Sequence, residues 1–83
     1  MEYMDIADQI EKRIRTHLRV EELKVSTLGN HVSLRIVSSD FEDKTRLECQ
    51  RMVYAALGDL IMGRDAPIHA VDTMETLTPS SVK

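Results

Sequence analysis

The chain is 83 residues long, 42% hydrophobic and 30% charged, and sets 11 Lys+Arg against 14 Asp+Glu for a formal net charge of -3. That length fits one small domain and leaves no room for a large enzyme's enclosed cleft, and the acidic balance gives no global pull toward nucleic acid or anionic membrane. Its aromatics are Tyr3, Phe41 and Tyr54, with no Trp, and Cys49 is its one cysteine, so the core must be aliphatic and neither an intrachain disulfide framework nor an all-thiolate metal site can form.

Residues 1–5 are acidic in character and lack both the basic region of a secretory signal and an Arg-rich organellar leader. No apolar run approaches the ~20 residues needed to cross a bilayer. The expectation is an intracellular protein, cytoplasmic or nuclear, and mitochondrial only if a leader is missing. Over residues 5–19, Ile6, Ala7, Ile10, Ile14 and Leu18 line one face of a helix, with Asp5 as its N-cap. Lys12, Arg15 and Arg19 form the opposite, basic face, most simply a solvated one.

Leu23, Val25 and Thr27 alternate with polar residues, and Val32, Leu34 and Ile36 do the same, the period-2 pattern of half-buried strands. Leu28-Gly29-Asn30-His31 between them supplies the turn of a β-hairpin. Ser38-Ser39-Asp40 closes the second strand and caps a helix or short helical turn near Phe41. Leu47, Val53, Ala56, Leu57, Leu60 and Ile61 mark a longer helix that ends at Gly63. Ile68, Ala70 and Val71 open a third strand running to about Glu75, and Thr78-Pro79-Ser80-Ser81 reads as a frayed tail. The result is an α+β fold of order α-β-β-α-β: one domain over residues 1–83, ordered from about 5 to 77. It has a three-stranded mixed sheet with both helices packed on one face. The β-α-β crossover makes the second and third strands parallel.

Parallel strands start at the same edge. His31 opens the second strand and His69 the third, so both should face one rim, on strands about 4.8 Å apart or one strand further. Converging imidazoles are candidate ligands for Fe, Cu, Zn or Ni, although surface or turn histidines are the commoner reading of such a pair. Two ligands do not complete a closed site, and His17 lies away on the first helix, so any metal would be shared with another molecule. No carboxylate pair, nucleophile constellation or phosphate loop is present, which argues against an enzyme. Cys49, beside acidic Glu48, reads as a packing residue.

Four segments carry a family resemblance. They are Val37-Ser38-Ser39-Asp40-Phe41-Glu42-Asp43-Lys44, Gln50-Arg51-Met52-Val53-Tyr54-Ala55-Ala56-Leu57, Ile68-His69-Ala70 and Thr76-Leu77-Thr78-Pro79. With them the chain resembles the BolA family over about residues 5–79. The resemblance implies a fold related to the class II KH domains. It also implies a partner, a monothiol glutaredoxin with a CGFS motif, sharing a bridging 2Fe-2S cluster in a heterodimer. The glutaredoxin cysteine and glutathione would hold one iron, while His69 and, from the hairpin loop, His31 would serve the other, a mixed Cys/His ligation. Such ligation weakens as histidine protonates toward its ordinary range near ~6.5.

Three departures stand out. Asp43 occupies a position where the family usually has Gly, so that loop is expected to be reshaped. Cys49-Gln50 replaces a basic-His pair, which weakens any nucleic-acid role for that helix. The stretch from His69 to Pro79 is about one residue longer than the family pattern. The leading expectation is a non-enzymatic iron-sulfur trafficking or iron-sensing partner, monomeric when alone. The alternative is a KH-like or helix-turn-helix nucleic-acid-binding regulator, favoured by the Lys12/Arg13/Arg15/Arg19 cluster but opposed by the net charge and by the absence of a G-x-x-G loop. A metal-free adaptor docking partners through its open sheet face is the third.

Overall fold

Asp5 caps the first helix as its place before an apolar-periodic stretch predicts: its carboxylate accepts from the Asp8 backbone N–H at 2.9 Å, and α1 runs Ile6–His17. The computed structural model describes residues 5–82, and the leader reading made on residues 1–4 lies outside the described residues. Ile10 and Ile14 are both 0% exposed, each burial contributing about 1.5–3 kcal/mol.

Strands β1 (Val20–Leu28) and β2 (His31–Ser38) pair antiparallel about the two-residue turn Gly29-Asn30, with Leu28 opposite His31. Gly29 takes φ +61°, the left-handed value that the first residue of a tight hairpin turn needs and glycine reaches without a Cβ clash. Alternation divides the faces as expected. Val32, Leu34 and Ile36 are buried under the helices, whereas His31 is exposed and Ser33 and Arg35 are only partly covered. On the open face Arg35 bridges Glu22 and Glu75, each at 3.4 Å, across all three strands.

Ser38 accepts from the Asp40 N–H at 3.0 Å and starts a 3-10 turn, Ser39–Phe41, that buries Phe41. Asp43 follows with φ +61°. The backbone there is in the region that favours glycine, which Asp tolerates better than most residues. Helix α2 (Arg46–Leu57) begins at a capping box. Glu48 N–H donates to Thr45 Oγ1 at 3.1 Å, and Thr45 N–H donates to Glu48 Oε1 at 2.8 Å.

Two expectations about this helix need correction. Leu47 is 54% exposed, because it lies about 200° around the helix from Cys49; Cys49, Val53, Ala56 and Leu57 form the buried face. The helix also stops before Gly63. Gly58 takes φ +52° and ψ −124°, and a 3-10 turn, Gly58–Leu60, follows. Arg13 completes the break: its Nη1 donates to the Leu57 carbonyl at 3.1 Å and lies 2.7 Å from Asp59 Oδ1.

Strand β3 (Ala70–Leu77) pairs parallel with β2, giving the sheet order β1-β2-β3. It starts two residues later than predicted and ends two later. Ile68 is buried with its N–H donating to the Leu60 carbonyl at 3.0 Å, and this anchors the chain before the ladder begins. The predicted frayed tail forms a 3-10 turn, Pro79–Val82, closed by Ser81 N–H to the Thr78 carbonyl at 3.0 Å and Thr78 N–H to Ser81 Oγ at 3.1 Å. The α+β architecture, with the core between sheet and helices, is as expected. Among the described residues no helix is long and apolar enough to cross a membrane.

Candidate functional site

The tight turn brings Asn30 to the rim where β2 and β3 both start. Its carbonyl accepts from His69 N–H at 2.8 Å and from Ala70 N–H at 3.4 Å, so the hairpin turn is bonded to the residue that precedes β3. His31 is the register partner of Ala70. His31 and His69 thus stand on adjacent chain segments of one rim, with His69 opposite Asn30 and one residue out of step with His31. His69 precedes β3 rather than opening it, since the ladder with β2 begins one residue later, at Ala70 opposite His31.

Each ring has its own partner. Asn30 Nδ2 donates to His69 Nδ1 at 3.1 Å, and His31 Nδ1 lies 2.8 Å from Asp72 Oδ1. The side chains of His31 and Asp72 are 50% and 52% exposed. A carboxylate can only accept, so His31 Nδ1–H is the donor in that bond. Neither Asn30 nor Asp72 stands out by periodicity. Asn30 is visible in sequence only as a turn former, and the signal for Asp72 is the excess length of the His69–Pro79 stretch.

The remaining candidates fall elsewhere. His17 Nδ1–H donates to the Arg13 carbonyl at 2.9 Å on an exposed helix end, away from the rim. Cys49 is a free thiol, 4% exposed, packed in the core. Among the described residues no group of three or more His, Cys, Asp or Glu is gathered so as to hold a metal ion. Within the basic cluster, Arg13 is bound to Leu57 and Asp59, and Arg15 pairs with Glu11 at 3.4 Å. The Arg13 guanidinium, donating to the Asp59 carboxylate, holds that carboxyl below its ordinary range. Glu48 is likewise lowered, chiefly by the Thr45 backbone and hydroxyl that complete the capping box.

A BolA-like protein family model matches residues 2–81. A bol-like protein from Babesia bovis is 32% identical over 98% of this chain and 93% of its own, with a TM-score of 0.80. A bolA protein homologue from Coxiella burnetii is 30% identical over 98% of this chain and 96% of its own, with a TM-score of 0.69. BolA1 from Arabidopsis thaliana, 23% identical over 98% of this chain and 100% of its own, shares the fold with a TM-score of 0.84. None of the curated proteins matches the chain.

Proposed function

The chain belongs to the BolA-like family, and on that premise we propose that it is a non-enzymatic partner of a monothiol CGFS glutaredoxin. His69 and His31 contribute to a 2Fe-2S cluster that the glutaredoxin holds with its cysteine and glutathione. The observation that carries this reading is the rim itself, where the turn residue Asn30 ties the backbone before β3 to the start of β2, with a histidine on either side of the junction.

The donor set fits half of such a site. Neutral imidazole is a good ligand for iron, the chain's one thiol is packed in the core, and no further His, Cys, Asp or Glu among the described residues joins the pair to make a group of three. Ligands from a second molecule would complete the coordination. When bound, the cluster supplies iron and sulfide for transfer, or a redox-responsive link between the two proteins. This chain's own contribution is to present two imidazoles on a rigid edge. The α1 cluster gives little support to nucleic-acid binding, because Arg13 and Arg15 are engaged within the chain.

Mixing the protein with cluster-loaded glutaredoxin and glutathione, and recording visible absorption and circular dichroism, tests the reading. A changed spectrum for wild type that reverts in His69→Ala is expected. Spectra that do not change on mixing, or that are the same for His69→Ala as for wild type, refute it.

A further inference from the structure

In the parallel ladder, Val32 pairs with Val71 and the next residue, Ser33, pairs with Thr73. Asp72 is therefore an extra residue on β3, a β-bulge. Bulges interrupt the alternation of a strand and re-aim a side chain. Here the bulge residue's carboxylate meets His31 at 2.8 Å. One extra residue on β3 agrees with a His69–Pro79 stretch about one residue longer than the family pattern it resembles.

An acceptor-only partner at Nδ1 fixes the ring proton there, and a neutral imidazole has only one. Nε2 then retains its lone pair, and the half-exposed side chain leaves the ring within reach of a second molecule. His69 has no such partner, since its Nδ1 faces the neutral amide of Asn30. We propose that Asp72 is a positioning residue that holds His31 in the Nδ1–H tautomer, with the Nε2 lone pair directed to iron ligation. The ligation half rests on the shared-cluster reading above. Carboxylates that accept from the far nitrogen of a metal-binding histidine fix its orientation and raise its basicity, and their loss commonly weakens metal binding about 10- to 100-fold.

Long-range proton–nitrogen NMR on 15N-labelled apo protein at a pH of about 8, above the ordinary histidine range, reads the tautomer directly. In wild type, His31 should show a protonated Nδ1 and a bare, pyridine-like Nε2. Asp72→Ala should move it toward the Nε2–H form that an unconstrained histidine side chain favours. Asp72→Asn, which keeps an acceptor oxygen, should restore much of the wild-type pattern, with backbone amide spectra showing all three proteins folded. An Nε2–H ring in wild type, or an unchanged tautomer in Asp72→Ala, overturns the proposal.

A second measurement uses the complex with cluster-loaded glutaredoxin. Asp72→Ala should retain cluster about 10-fold less well than wild type, with Asp72→Asn between them. Equal retention by wild type, Asp72→Ala and His31→Ala overturns the ligation half. A wild type that takes up no cluster overturns the shared-cluster reading and the ligation half with it, while the apo tautomer still decides whether Asp72 holds the ring.

Discussion

Asn30 and His69 are joined twice: His69 N–H donates to the Asn30 carbonyl at 2.8 Å, and Asn30 Nδ2 donates to His69 Nδ1 at 3.1 Å. An imidazole nitrogen that accepts is unprotonated, so neutral His69 of the apo protein carries its proton on Nε2, the opposite of His31, and ligation of iron by His69 requires the Asn30 side-chain bond to break. Two histidines of one rim in opposite tautomers is a specific expectation for 15N NMR of the apo protein. Asn30→Asp exchanges the donor for an acceptor and should convert His69 to the Nδ1–H form while leaving His31 unchanged. A His69 tautomer indifferent to that substitution would show that the side-chain bond does not form in solution.

The backbone at Asp43, φ +61°, lies in the region that favours glycine. Asp43→Gly should therefore raise stability by up to about 1 kcal/mol, and the β-branched Asp43→Val should lower it by about 1–2 kcal/mol. Urea midpoints at constant m-value measure both changes. Equal midpoints for the three proteins would mean the loop relaxes out of this conformation at no cost.

At Gly58 the constraint is harder, because φ +52° with ψ −124° is a combination that side-chain-bearing residues rarely adopt. A Cβ built there would meet Arg13 Nη1 at 3.5 Å, an ordinary contact, so strain rather than crowding sets the penalty. Gly58→Ala is expected to cost about 1–3 kcal/mol, read as a fall in the thermal midpoint. Arg13→Ala should also lower the midpoint, by removing the donor to the Leu57 carbonyl. An unchanged midpoint in both variants would contradict this account of the α2 terminus.

Acid should weaken the fold through two carboxyls. Glu48 and Asp59 have folded-state pKa values below their ordinary 4.5 and 3.8. A lowered value means the carboxylate form is favoured by folding, so its contribution is complete above the unfolded value and is lost as pH falls through the folded one. Melting followed by circular dichroism should show stability falling below about pH 4.5, and falling less steeply in the Glu48→Gln, Asp59→Asn double variant. Parallel acid slopes for the two proteins would contradict it. Thr45→Ala, which removes the cap hydroxyl, should cost about 1 kcal/mol at neutral pH.

Periodicity was enough to read the element order, because alternation in β2 and the spacing of Ile10 and Ile14 are strong local signals, and the crossover rule then put the backbone of His31 and His69 at one edge of the sheet. Leu47 misled because an apolar residue two positions from Cys49 fits a helical run yet lies on the far side of the helix. The tie between Arg13 and Leu57 spans 44 residues, and no local pattern records it. The β3 start failed for a similar reason: Ile68 is a strand-favouring residue type, but its N–H is taken by the distant Leu60 carbonyl. The bulge left only a trace, one surplus residue between His69 and Pro79, and Val71-Asp72-Thr73-Met74 alternates well enough to hide which residue is unpaired.

That surplus residue has a consequence for the molecule's behaviour at high concentration. With the order β1-β2-β3, β3 is an edge of the sheet, and a long, flat edge invites a strand from a neighbouring molecule. A bulge near its start bends and twists the strand, and a charged residue sits at the kink. The same aspartate that faces His31 thus spoils the template that a fourth, foreign strand would need, so deleting it should make β3 a more regular edge and the protein more prone to self-association.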